Sequence, residues 1–453
     1  MITKIKWNNH KILGNLELNL TNSAGKPYKT IVFAGENGTG KTTILKTLST
    51  FLNYGSFIPF NYIQYLYNSE LIELRRTSTH NEVVSDHDAN YGHVYKFYVA
   101  SKTQTRTYSN KENSDPDDLR KNGCVYTKAR SGFNTNPIES VRTSKLDSVK
   151  YDVDSNDDFT PIKQLLVDID SQDALEWTAL SRNHSDKSYE EFDNDSRSSR
   201  FRKAFNDFFD NIQYDGIDNN GQRGMRIVFK KGNAKISIDD LSTGEQQIVF
   251  RGATLLKNIQ NIDGGFVFID EPELSMHPRW QRRILDYYKN LFKKTDGSQM
   301  VQMFIATHSE AIVESALKDN ETLVVVLKDN NGVLEGTSIT TPNVLPVPIA
   351  SEINYLAFNV PSVDYHIALF GYLQSSNSLS TIKSVDNFIK TQSDYDEILH
   401  HKPSSFIDGR GHTHSFETLP VYVRNSIDHP DSGNTYSEEE LIKSIELLRK
   451  LCS

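Results

Sequence analysis

Cysteine is almost missing from this 453-residue chain: Cys124 and Cys452 stand far apart, with no CxxC pair. That excludes a disulfide framework and a zinc site built on thiolates, and makes a reducing cytoplasm the expected compartment. Also missing are any run of about eighteen apolar residues and, at Met1-Ile2-Thr3-Lys4-Ile5-Lys6, an apolar core of signal-peptide length. Neither a membrane partner nor export is expected. Positive charge is not in excess: 50 Lys and Arg against 59 Asp and Glu give a net charge of −9. Any nucleic-acid contact therefore needs a local patch. No heptad persists over several turns, which excludes a long coiled-coil arm, and no internal repeat is evident. With 37% hydrophobic and 10% aromatic residues the chain is ordinary globular material, long enough for two or three domains.

What is present begins with Gly35-Glu36-Asn37-Gly38-Thr39-Gly40-Lys41-Thr42, which fills every fixed position of the phosphate-binding pattern GxxxxGK[ST]. Thr30-Ile31-Val32-Phe33-Ala34 ahead of it reads as a buried strand, and Thr43-Ile44-Leu45-Lys46-Thr47-Leu48 behind it as the start of a helix. In that order the loop amides and the helix N-terminus converge on phosphate oxygens. Gly35, Asn37, Gly38, Thr39, Gly40, Lys41, Thr42 and Thr43 are the expected nucleotide-binding set, with Lys41 facing the β and γ charge and the Thr42 hydroxyl on Mg²⁺. ATP and Mg²⁺ are the cofactors this predicts. Phe266-Val267-Phe268-Ile269-Asp270-Glu271 is a buried strand ending in two acids. Asp270 is expected to hold the metal, and Glu271 to orient or deprotonate the attacking water.

Leu241-Ser242-Thr243-Gly244-Glu245-Gln246-Gln247 resembles the signature of ABC-type ATPases, and Asp270-Glu271-Pro272-Glu273-Leu274-Ser275-Met276-His277-Pro278 resembles a stretch of their SMC-like branch. Ala306-Thr307-His308-Ser309 follows another strand, so His308 resembles that family's switch histidine. The resemblance covers residues 1 to about 340. It implies an α/β fold: a head with a parallel phosphate-loop sheet and an antiparallel N-terminal lobe. It also implies that Ser242, Gly244 and Glu245 act in trans on nucleotide held by a second copy, that Glu271 and His308 are catalytic, and that Ser275 to His277 lie at the dimer seam.

The expected organisation is an N-terminal half of the head (1–67), a loop-rich insertion with short helices around Ile162 to Leu180 and Ser198 to Ile212 (68–221), a C-terminal half (222–349), and a mainly helical C-terminal domain (350–453). Strands are expected at Arg226 to Phe229, Ala234 to Ile238, Gly265 to Ile269, Met303 to Ala306 and Leu323 to Leu327, their buried runs suggesting one parallel sheet. Ser437 and Glu440 form a capping-box pattern ahead of the last helix.

A compact head, a polar insertion containing Val125-Tyr126-Thr127-Lys128-Ala129-Arg130-Ser131-Gly132-Phe133, the run Leu241 to Arg251 and a short helical tail together resemble the stand-alone ATPases of prokaryotic anti-phage systems, the Septu ATPases (PtuA) and their retron-associated forms in particular. That resemblance implies a multimeric ATPase whose nucleotide state controls a partner HNH nuclease. Two alternatives stay open. Arg424-Asn425-Ser426-Ile427-Asp428-His429 fits RxxxxH and resembles the site of HEPN ribonucleases, with Arg424 and His429 acting on RNA; against it stands a docking domain in which Arg424 pairs with Asp428 or Asp431. The other is a DNA-repair type ATPase. His400, His401, His412 and His414 read as a polar loop before a metal site, and Arg279, Arg282 and Arg283 as a solvated helix face before a nucleic-acid contact.

Overall fold

The computed structural model describes all residues except 77–95, 102–104, 130–150, 154–159, 184–185, 220–224, 258–261, 295, 340–343, 348, 408–412 and 431–432. The chain forms two compact units, Met1–Ser338 and Ile339–Ser453, against an expected division near residue 350.

In the first unit the phosphate-loop strand, Thr30–Gly35, lies inside a seven-stranded sheet. Its order is Val333–Ile339, Thr322–Asn330, Thr30–Gly35, Gln302–Thr307, Phe266–Asp270, Cys124–Thr127, Tyr151–Val153. The pairs from Thr322–Asn330 through to Tyr151–Val153 are parallel. These central strands are buried along their length, as their unbroken apolar runs require of a sheet covered on both faces. The Lys41–Leu52 helix inserts Ile44, Leu45, Leu48, Phe51 and Leu52 between this sheet and a six-stranded antiparallel one. Phe51 stacks edge-on against Phe57, Phe60 and Phe97 there. Gln302 ties the two sheets, accepting from the Ile2 amide at 2.7 Å and donating to its carbonyl at 2.9 Å.

Residues 68–221, expected as an insertion, begin instead inside the antiparallel sheet. Asn68 and Ser69, with φ of 46° and 65°, make a two-residue turn between Phe60–Tyr67 and Glu70–Arg76, whose register pairs Tyr67 with Glu70. Positive φ at both central positions is the hairpin geometry that matches strand twist, so a polar Asn-Ser pair marks a turn and not a boundary. Lys96–Ala100 and Thr105–Ser109 extend the same sheet, and Cys124–Thr127 joins the parallel one. The two helices expected in this stretch are observed at Thr160–Arg182 and Arg197–Phe208.

Met225–Lys231 and Ala234–Ser237 do not join the parallel sheet. They form an antiparallel sheet with Ile212–Asn219, because a tight connection through Gly232 (φ 60°) permits only antiparallel pairing.

The second unit packs the helices Val363–Ser376, Ile382–Lys390, Leu419–Asp428 and Glu438–Cys452 around Leu369, Val385, Leu419, Val423, Ile445 and Leu448. Its last helix carries the Ser437–Glu440 capping box. It also holds an antiparallel hairpin, His401–Ile407 with Thr413–Thr418, where a polar loop was expected. Among the described residues no helix is long and apolar enough to cross a membrane.

Candidate nucleotide site

Gly38 and Gly40 carry the phosphate loop through left-handed backbone at φ 83° and 80°. At Gly40 a Cβ would sit 2.6 Å from Leu13 Cδ2, and at Gly35 one would collide with the Leu327 carbonyl oxygen. The loop is thus tight on the inside, while Asn37 and Gly38 are exposed on its rim. Thr39 turns its hydroxyl back to the Glu36 carbonyl at 2.8 Å, and Thr43 is half-buried in the first helical turn. The Lys41 ammonium donates to the carbonyls of Gly35 at 2.8 Å and Glu36 at 2.7 Å. Burial pushes its pKa down to about 8, against the pull of the Glu271, Glu273 and Asp270 carboxylates.

Those carboxylates come from the end of the Phe266–Asp270 strand and the turn after it. Asp270 is buried and accepts from the Thr42 hydroxyl at 3.0 Å and the Tyr126 hydroxyl at 3.2 Å. Burial raises its pKa, with the adjacent Glu271 charge adding to the effect. Glu271 adopts φ 44°, uncommon for a residue with a side chain, and its Oε1 lies 3.5 Å from His308 Nε2. Burial and the Lys41 charge lower the His308 pKa, which favours the neutral imidazole. Glu273 Oε1 accepts the His308 amide at 2.5 Å, while its Oε2 is buried without a hydrogen-bond partner. Burial raises the pKa of Glu273 as well.

The arrangement fits Mg²⁺-ATP. Three carboxylates act on the single Lys41 charge, and the buried Asp270 carboxylate is met by two hydroxyls alone; a cation beside Asp270 relieves the cost of that burial. Asp270 and the Thr42 hydroxyl are a small all-oxygen donor set, which suits a metal that keeps waters and phosphate oxygens as its other ligands.

Ser242 is the N-cap of the Thr243–Leu256 helix, accepting from the Glu245 amide at 3.4 Å while its own amide donates to Glu245 Oε2 at 2.7 Å. Glu245 also pairs with Lys231 at 3.1 Å. Its carboxylate is therefore committed within its own chain, and the helix end presents Ser242. Gly244 packs under this turn, where a Cβ would meet the Ser275 carbonyl at 2.5 Å.

Three residues take roles in the site that a motif reading does not assign. Tyr126 arrives on a strand whose only sequence signal is the short run Cys124-Val125-Tyr126-Thr127. Arg251 is buried and reaches the carbonyls of Asp270 and Glu271; a cation directly after the apolar run Ile248-Val249-Phe250 is its visible sign. Glu273 holds the His308 backbone, a role that sequence does not specify.

In the second unit, Arg424 forms an ion pair with Asp428 at 2.5 Å and lies over the Phe370 ring. His429 ends the Leu419–Asp428 helix, its amide donating to the Asn425 carbonyl. Asp431 and His412 lie outside the described residues. His400 Nδ1 accepts the Asp396 amide, and the hairpin register sets His401 opposite Thr418 and His414 opposite Phe406. Among the described residues no group of three or more metal-ligating side chains forms. Arg283 pairs with Asp210 at 3.0 Å, while Arg279 and Arg282 are exposed.

A family model described as AAA domain, putative AbiEii toxin, Type IV TA system matches residues 31–314. The chain is 31% identical over 105 residues to the Retron Ec83 probable ATPase of Escherichia coli, covering 21% of this chain and 18% of that protein. It is 24% identical over 308 residues to the Septu protein PtuA of Bacillus thuringiensis, covering 63% of this chain and 67% of that protein. The expected likeness to Septu and retron ATPases is borne out, although the match spans under a fifth of the retron protein's length. Among solved structures, the SmcHead bound to the C-winged helix domain of ScpA aligns at 15% identity and a TM-score of 0.38, covering 75% of this chain and 98% of that one. With the family model spanning more than half its length, and the phosphate loop and both acids inside the matched region, the chain belongs to the AAA-domain ATPases of this putative AbiEii type.

Proposed function

We propose that the protein binds and hydrolyses Mg²⁺-ATP between paired heads, and that its nucleotide state regulates a nuclease effector in anti-phage defence. The observation that carries the ATPase part is the Thr42–Asp270 hydrogen bond at 3.0 Å, which joins the phosphate loop to the acidic strand end with Glu271 and His308 alongside. Bound ATP supplies the γ-phosphoryl group and bound Mg²⁺ its charge neutralisation. Around them Lys41 faces the phosphates, Thr42 and Asp270 hold the metal, and Glu271 orients and deprotonates the attacking water. His308, beside Glu271, donates or accepts one hydrogen bond there.

Pairing of heads rests on the signature helix. Ser242 sits nine residues before Arg251, about 13 Å along a helix axis from the residue that touches the Asp270 carbonyl. Ser242 at that N-terminus is exposed, which suits phosphate held by another copy. The partner nuclease, of HNH type, is inferred from the likeness to PtuA. The paired Arg424 supports a docking role for the helical unit over a ribonuclease site. The deciding experiment measures ATP turnover of the purified chain, and DNA cleavage by a candidate HNH partner with and without it under ATP. Turnover with nucleotide-dependent control of cleavage is expected; cleavage indifferent to this chain overturns the regulatory reading.

A further inference from the structure

The Thr243–Leu256 helix touches the acidic segment at two points. Near its start, Gly244 lies under the Ser275 carbonyl so closely that no Cβ fits, with Ser275 itself at φ 60°. Two turns later Arg251, 3% exposed, donates from Nη1 to the Asp270 carbonyl at 2.8 Å and from Nη2 to the Glu271 carbonyl at 3.3 Å. Its Nε donates to Gln247 Oε1 at 2.8 Å, so a residue on the same helix fixes the direction of the fork. Glu271 needs such support. A non-glycine residue at φ 44° persists only where surroundings over-determine it, and here its amide is tied to the Ala306 carbonyl at 2.9 Å and its carbonyl to Arg251.

We propose that Arg251 is a positioning residue: it locks the backbone of Glu271 to the helix that presents Ser242, so that contact made at Ser242 sets where the Glu271 carboxylate points. A planar guanidinium suits this because it spans two consecutive carbonyls with parallel donors, which a single ammonium does not. The charge stays buried because carbonyls and an amide oxygen meet it, and because it also stabilises the ionised form of Asp270. The proposal deepens the ATPase reading and rests on it. Displacing the Glu271 carboxylate by even about 1 Å is enough to cost roughly a hundredfold in rate without touching nucleotide affinity.

The test compares wild type, Glu271→Gln, Arg251→Lys, Arg251→Met and Gln247→Leu in the full chain, reading kcat, KM, nucleotide affinity and thermal melting. Expected are a fall of about 10- to 100-fold in kcat for Arg251→Met with nucleotide affinity unchanged, partial recovery in Arg251→Lys, and a smaller fall in Gln247→Leu. If Arg251→Met does not fold, Arg251→Lys and Gln247→Leu carry the same split. Variants that turn over like wild type, or that lose affinity with kcat intact, overturn the role of Arg251 and leave the ATPase reading standing. A wild type without turnover, or a Glu271→Gln variant as active as wild type, overturns that reading and this one with it.

Discussion

The Thr42 hydroxyl donates to Asp270 Oδ1 across 3.0 Å, although the two residues are 228 positions apart. The contact exists because Thr30–Gly35, the strand that leads into the loop before Thr42, and Phe266–Asp270 both neighbour Gln302–Thr307 in the parallel sheet, with Thr307 opposite Ala34 and Ala306 opposite Asp270. Two strand ends in register bring the phosphate loop and the acids to one edge, where open parallel sheets bind ligands.

Glu271→Gln is expected to bind ATP and lose about 10²- to 10⁴-fold in turnover, the range for removing a general base. The amide keeps the shape beside His308 but cannot take a proton. Size-exclusion chromatography with light scattering should show ATP-dependent dimers persisting in the variant; monomers alone would oppose head pairing.

Lys41 sets a pH signature. Its pKa stands at about 8 in the free protein because burial disfavours the charge. Phosphates favour the charged form, so nucleotide raises this pKa. Below pH 8 Lys41 is protonated in both states and affinity is flat. Above pH 8 binding takes up a proton, and affinity falls toward tenfold per pH unit, the limit for one linked proton. Calorimetry at pH 8.5 in buffers of differing ionisation enthalpy should report that uptake; none would place the Lys41 pKa elsewhere.

Tyr126→Phe removes one of the two hydroxyls on Asp270 from a site that stays buried. Losing a hydrogen bond to a charged group costs about 1.5–3 kcal/mol. Urea unfolding of the apo protein should show that loss, and added Mg²⁺-ATP should diminish it by satisfying the same carboxylate.

Which of these residues a reader of the sequence finds depends on how local the reason is. The phosphate loop, Ser242 and the last helix's capping box are legible because each is fixed within a few residues by backbone geometry. Tyr126 and Arg251 are not, since their partners are chosen by strand order and helix packing. Residues 68–221 mislead for a related reason: polar composition hides strands whose apolar face takes only every second residue, as in Glu70–Arg76, where Ile72 and Leu74 alone are buried. The tail hairpin is masked similarly by its many Ser, Thr and His residues.

The C-terminal unit gives the last prediction, because two readings of the same six residues diverge there. In a ribonuclease, Arg424 must present its guanidinium to a scissile phosphate. Here that group is paired with Asp428 one turn ahead and lies over Phe370, which is how an arginine behaves when it staples a helix to its neighbour. The pair is only half-buried, so Arg424→Ala is expected to cost no more than about 1 kcal/mol of stability. Total RNA incubated with the purified chain and ATP should stay intact, and His429→Ala should change nothing. Cleavage that disappears in His429→Ala would instead place the effector in this unit and remove the need for a nuclease partner.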